Sequence, residues 1–99
     1  GSLAAMSKVV VLTWQLRIPG SRSLKEKRMA VRSLRDRLRH GFHVSVAETG
    51  FQDVHDRAEL TVALVASDGK TAESLADRID RFVTESGRAL VTESRRDRI

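Results

Sequence analysis

The spacing of the hydrophobic residues switches repeatedly along this chain between a strand-like and a helix-like period. The order of these switches constrains the fold more than any other feature. Over residues 8–18 every even position from Val10 to Ile18 is apolar and the odd positions become polar from Thr13 on, and this period of two is typical of a strand with one buried face. Apolar residues then recur every three or four positions over residues 24–40, as in an amphipathic helix. Alternation returns over residues 43–47 and 59–66, and helical spacing returns over 72–83. Residues 89–92 begin a short last strand, and residues 95–99 are predicted to be a polar tail that either extends this strand or frays.

Residues that stop or cap these elements support the same division. The serine and glutamate of Ser23-Leu24-Lys25-Glu26 are spaced as in a capping box, which predicts the start of the first helix. Gly41 is predicted to provide its left-handed C-terminal cap, and Gly87 is predicted to end the second helix. Asp68 or Thr71 is expected to cap the N-terminus of that second helix.

The order strand, helix, strand, strand, helix, strand predicts an α+β fold. Right-handed crossovers favour the ferredoxin-like βαββαβ sandwich, a four-stranded antiparallel sheet with both helices on one face. The 99 residues suffice for one domain. Met6 is a plausible native start, so residues 1–5 are interpreted as an expression scar or linker and residues 6–99 as the single domain.

Composition excludes several classes of protein. The chain has no cysteine, which excludes disulfides, thiol nucleophiles and thiolate metal sites. No apolar run approaches the roughly 20 residues of a membrane-spanning helix. We therefore expect a cytoplasmic protein with no membrane partner.

The positive charge is concentrated in one segment. The net charge is +5, and the segment from Leu24 to His40, with seven cations and two anions, accounts for all of it. Five of these cations step by three, four, three and four residues, so they fall on one side of the predicted helix. We call these five residues the basic stripe: Lys25, Arg28, Arg32, Arg35 and Arg39. Together with Arg22 they are the candidate nucleic-acid-binding residues, the alternative being a merely solvated helix face.

Lys27 does not belong to the basic stripe. Its position places it toward the apolar side near the start of the helix, and we expect its side chain to reach the rim of the sheet.

The sheet face that the helices leave open is the other candidate surface. Alternation puts a small apolar patch there, which is typical of association sites, so a homodimer or a protein partner is the competing hypothesis. Trp14 falls on the opposite, core face, and no aromatic platform for stacking bases is expected on the open face. The candidate interface residues are Val9, Val11, Thr13, Ala63 and Val65.

No pattern of catalytic residues stands out. The turn before the first helix could cradle an anion, as in acylphosphatases, but the chain lacks the asparagine that such chemistry needs. Residues 67–71 end like a phosphate-binding loop, yet the first glycine of that motif would fall on Leu64. The three histidines show no tight ligand spacing. We expect no enzyme activity, no cofactor, no metal and no small-molecule substrate.

Several short segments together resemble one bacterial family. These are Ile18-Pro19-Gly20, Ser23-Leu24-Lys25-Glu26-Lys27-Arg28, Ser33-Leu34-Arg35-Asp36-Arg37-Leu38-Arg39, Val44-Ser45-Val46-Ala47-Glu48 and Gln52-Asp53. With them, nearly the whole chain resembles the YlxP-like family. The resemblance implies a ferredoxin-like fold and genes that often lie among those for translation initiation and ribosome maturation, with no catalytic residues to transfer. Where that family often has an aromatic residue after Gln-Asp, this chain has Val54-His55.

These observations lead to two functional hypotheses. In the first, the protein is a non-catalytic binding protein whose basic stripe contacts RNA or a ribosomal particle, in translation or ribosome maturation. In the second, it is a protein-interaction module or homodimer that uses the open sheet face and binds no nucleic acid.

Overall fold

The predicted order of elements is confirmed in the computed structural model, which describes residues 8–99. All strand pairs are antiparallel, and the strands lie in the order β2-β3-β1-β4, so the fold is ferredoxin-like. The interpretation of residues 1–5, and of Met6 as the start, lies outside the described residues. The elements are β1 (Lys8–Arg17), α1 (Leu24–Phe42), β2 (Ser45–Gly50), β3 (Arg57–Ala66), α2 (Gly69–Thr84) and β4 (Leu90–Arg98).

The core lies between the sheet and the two helices, as the alternation in β1 predicts. Leu12, Trp14 and Leu16 point to this side and are almost completely buried. The indole Nε1 of Trp14 donates a hydrogen bond of 2.7 Å to Oδ1 of Asp80 on α2. The aromatic ring therefore fills the core while its polar edge links the central strand to α2.

The caps of α1 are partly as predicted. Ser23 Oγ accepts a hydrogen bond of 3.1 Å from the backbone N–H of Glu26, as a capping serine should. The Glu26 carboxylate, however, accepts from the N–H of Arg22 at 2.7 Å instead of from the serine's own N–H. The prediction for Gly41 is wrong: the helix continues through it, and His43 adopts the left-handed conformation with φ 53°.

The second helix is capped by Asp68, which accepts from the N–H of Thr71 at 2.7 Å. These bonds to Thr71 lower the pKa of the Asp68 carboxyl below its ordinary value. The helix ends at Thr84, three residues before the predicted Gly87. In the described part of the chain, neither helix combines the length and the apolar character needed to cross a membrane.

The polar C-terminal segment is not a frayed tail. Residues 90–98 form a strand of nine residues paired with β1, and the N–H of Ile99 donates to Val9 O at 2.9 Å. A bulge between Gln15 and Leu16 interrupts the register, and the hydroxyl of Thr92 donates to Gln15 O at 3.2 Å there. Strong pairing on one side therefore offsets the polar composition of this strand.

Candidate nucleic-acid interface

The basic stripe is present on α1 and is not neutralised by acids. Lys25, Arg28 and Arg32 are exposed. Among residues 8–99, the ion pairs shorter than 4.0 Å include no member of the stripe. Arg39 stands fourteen positions after Lys25, so the stripe extends about 21 Å along the helix.

The last two arginines of the stripe are held closer to the protein. Arg39 is exposed, but its Nη2 donates a hydrogen bond of 2.9 Å to Val46 O on β2. Arg35 is half-buried, and its Nε is buried with no hydrogen-bond partner in the described structure. The stripe therefore has a freely exposed N-terminal half and a C-terminal half that lies along β2.

The turn before α1 does not offer an anion cradle. Arg22 is exposed, as its candidate role requires, but its backbone N–H is donated to the Glu26 carboxylate. Ser21 Oγ donates to His55 O at 2.6 Å, so this hydroxyl is also used within the chain. A carboxylate at the helix N-terminus repels a bound anion, so the geometry does not support phosphate chemistry at this turn.

The cations of β4 contrast with those of α1, because acids on α2 pair with them. Arg96 Nη1 lies 2.9 Å from both Glu73 Oε2 and Asp77 Oδ1. Arg98 also donates to Glu73, and this contact, with that of Arg96, lowers the pKa of the Glu73 carboxyl. The uncompensated positive charge of the described chain is therefore concentrated on α1.

Lys27 reaches the end of β2, as expected, but it is fully buried. Its Nζ donates to Phe51 O at 2.9 Å and to Gln52 O at 3.2 Å, and it lies 3.6 Å from Glu48 Oε2. That carboxylate oxygen is itself buried and has no hydrogen-bond partner among the described residues. Lys27 therefore ties the start of α1 to the β2–β3 loop from inside the protein.

The β2–β3 loop carries an aromatic residue, Phe51, whose carbonyl accepts from this ammonium group. Phe51 is half-buried and has a positive φ of 59°, which is unusual for a bulky residue. The guanidinium of Arg57 lies 4.8 Å from the centre of its ring. One face of the ring is thus occupied by a residue of the same chain.

The open sheet face is apolar at one end and hydrogen-bonded in its middle. Val65 is 66% exposed, Ala63 is exposed, and Val9 and Val11 are half-buried. Thr13, which sequence analysis assigned to the interface, is only 7% exposed, and its hydroxyl is hydrogen-bonded to that of Thr61 at 3.3 Å. Neighbouring residues of the sheet cover Thr13, so it adds little contact area.

No group of three or more His, Asp or Glu side chains in residues 8–99 is arranged to hold a metal ion. Among the three histidines, His43 has a structural role, because its left-handed backbone conformation ends α1.

Comparison with known proteins assigns the chain to a family. The model of a family described as "Protein of unknown function (DUF503)" matches residues 9–96. The chain belongs to the DUF503 family. Among curated proteins, "Uncharacterized protein YlxP" of Bacillus subtilis (strain 168) is 34% identical over 61 residues, which are 62% of this chain and 66% of that protein. The match thus spans slightly less than two thirds of YlxP.

One solved structure agrees with the fold assigned to this DUF503 chain, and a second aligns with it less well. The structure titled "Structural Genomics, protein YJCS" aligns with 92% of the chain and 98% of its own length, with a TM-score of 0.54 and 9% identity. "De novo designed protein Foldit4" covers 91% of the chain and 96% of its own length, with a TM-score of 0.49 and 20% identity. At such identities the likeness to YJCS concerns the fold alone.

The segments that carry the resemblance meet around the buried ammonium group of this DUF503 chain. Lys27 comes from the segment that begins at Ser23, Glu48 ends the segment that begins at Val44, and Gln52 begins the Gln52-Asp53 pair. Spacing alone did not reveal this contact, although Lys27 stands three residues before Ala30 on the side of α1 that is buried. A lysine at a core-facing position was the signal that could have indicated it. The Lys27 centre is therefore structural, while the basic stripe remains the exposed candidate site.

Proposed function

We propose that this protein is a non-catalytic RNA-binding protein that contacts RNA or a ribosomal particle through the basic stripe. The observation that carries the proposal is that no described acid forms an ion pair with the stripe. The acids of α2 that pair with Arg96 and Arg98 show that the fold can neutralise arginines elsewhere.

The stripe destabilises the free protein, and a bound phosphate backbone would offset this cost. Like charges three or four residues apart cost roughly 0.2–0.5 kcal/mol per pair, so four consecutive pairs cost about 1–2 kcal/mol. Arginine presents two parallel donors to a phosphate, and each neutralised phosphate releases counterions. RNA, with its row of phosphates, is thus the kind of partner that an unpaired row of arginines binds most favourably.

The open face bears on the mode of RNA recognition. β1 and β3 present valine, alanine, threonine, glutamine and glutamate on that face, with no aromatic ring to stack on bases. We therefore expect binding to the RNA backbone and its shape, with little sequence preference and strong sensitivity to salt. The resemblance to YlxP-like proteins, whose genes often accompany translation genes, supports RNA of the ribosome as the target.

Reversing the charge of two exposed stripe residues tests the proposal. In R28E/R32E, both substitutions lie on the exposed half of the stripe. The matched control is R78E/R81E, which changes two exposed arginines on α2 and alters the net charge equally. We expect R28E/R32E to lose retention on immobilised ribosomal RNA, and R78E/R81E to keep it. Equal retention by both variants, with unchanged circular dichroism spectra, would contradict the proposal.

The second candidate function, a protein-interaction module or homodimer using the open sheet face, is favoured by the exposure of Val65 beside Ala63 and Val9. V11E/V65E places two carboxylates on this patch. If the patch is an interface, the variant should sediment as a smaller species or lose its protein partner. An unaltered sedimentation profile and partner set would argue against this function.

A further inference from the structure

The two edges of the sheet differ in how their backbone is protected. On β2, Arg39 donates to Val46 O, and a bulge between Glu48 and Gly50 shortens the regular edge. On β4, residues 92–95 are exposed at four consecutive positions, so neither side of the strand is covered there by the described residues. Proteins usually protect their edge strands, because unpaired backbone groups can pair with another chain.

The hydrogen-bond pattern identifies which β4 groups point outward. The N–H of Ile99 donates to Val9 O, and inward and outward groups alternate along an antiparallel strand. The backbone groups of Arg95 therefore face β1, and those of Ser94 and Arg96 face the free edge. In the strand order, no described strand lies beyond β4.

The side chains around Ser94 are self-complementary in charge. In an antiparallel pair of β4 strands with Ser94 opposite Ser94 of a second copy, Glu93 of each copy lies opposite Arg95 of the other. The two serines form a hydrogen-bonded pair, so each Glu93–Arg95 pair beside them is a non-hydrogen-bonded pair. Side chains approach most closely in pairs of this second type. Centring the pair on Arg96, the neighbouring residue with outward groups, would instead place Arg95 opposite Asp97 and leave Glu93 opposite the apolar Ile99.

Both charges are available for such a contact. Glu93 is exposed and takes part in no ion pair among residues 8–99. Arg95 is exposed, and it uses its Nε for Asp97 at 3.0 Å, which leaves its Nη atoms for a carboxylate of the second copy.

We propose that β4 is a homodimerisation edge, at which two copies of this chain pair antiparallel about a two-fold axis at Ser94. The contact joins two four-stranded sheets into one of eight strands with all helices on the same face. It uses neither the basic stripe nor the apolar patch of the open face, so it stands independently of the proposed function.

A charge-swap series followed by sedimentation velocity over a protein concentration series tests this register. We expect a concentration-dependent dimer for the unsubstituted chain. E93R and R95E each replace two attractive pairs per dimer with two repulsive ones, which should raise the dimer Kd by about tenfold or more. E93R/R95E exchanges the two charges, so that position 93 of each copy again faces an opposite charge at position 95 of the other. This double variant should dimerise like the original chain.

A single cysteine gives a second test, because the chain has none of its own. Opposed residues in a hydrogen-bonded pair have Cα atoms about 5.5 Å apart, within the range of a disulfide. S94C should therefore oxidise to a covalent dimer, whereas the control S45C, an exposed serine on the other edge strand, should not. The proposal is overturned by a monomeric wild type, by a double variant as weak as the single variants, or by equal cross-linking of S45C. A dimer lost in V11E/V65E but not in E93R would also overturn it, in favour of the sheet face.

Discussion

Replacing Lys27 with methionine tests how much the buried ammonium group contributes to stability. Methionine is also unbranched, so K27M keeps most of the apolar packing and removes the charge. The substitution withdraws the donor from Phe51 O and Gln52 O and leaves the Glu48 carboxylate without its cation. Removing one partner of a buried ion pair typically costs about 3–5 kcal/mol. For a chain of 99 residues, total stability is roughly 5–15 kcal/mol, so K27M should be severely destabilised.

Urea unfolding measures this loss, with the fluorescence of the buried Trp14 as the probe. The double variant K27M/E48Q separates the ion pair from the two carbonyl contacts. It should be more stable than K27M, because the unpaired carboxylate is gone, but less stable than the original chain. A loss below about 1 kcal/mol in K27M would show that Lys27 does not hold the loop as its contacts indicate.

Two further predictions concern α1 and the α2–β4 contact. Gly41 is helical, and a Cβ there would meet nothing within 4 Å. G41A should therefore raise the free energy of unfolding by about 0.5–1 kcal/mol. A loss of stability in thermal unfolding would indicate that Gly41 is the left-handed cap after all. The pKa of Glu73 is lowered by hydrogen bonds from Arg98 and Arg96, so its contribution to stability is present at neutral pH and is lost as the pH falls through this lowered pKa. The difference in Tm between the original chain and E73Q should therefore shrink from pH 7 to pH 3, and a difference that is constant with pH would contradict this linkage.

The fold could be predicted because its signals are local. The alternation in β1 and the helical spacing in α1 and α2 each report which face is buried, and the order of the elements leaves few topologies. The capping role of Ser23 was equally local, since Ser23 and Glu26 are three residues apart. The prediction for the C-terminal cap of α1 failed because His43, and not the nearby Gly41, adopts the left-handed conformation.

The contacts that spacing could not predict join residues far apart in the chain. Lys27 meets Glu48 only because α1 packs beside β2, and Arg96 meets Glu73 only because β4 lies next to the central strand below α2. Residues 95–99 look like a tail in isolation, since their pairing depends on β1. The same reasoning applies to Thr13, whose face was predicted correctly while its burial depends on its cross-strand neighbours.

The slope of log K against log salt concentration for RNA binding tests the central claim most directly. It should be measured by fluorescence anisotropy on one ribosomal RNA fragment, with the original chain, R28Q/R32Q and the control R78Q/R81Q. If Arg28 and Arg32 contact phosphates, their neutralisation should make the slope shallower by about 1.5–2, and the control should leave it unchanged. Identical slopes for all three proteins would show that the basic stripe is only a solvated helix face.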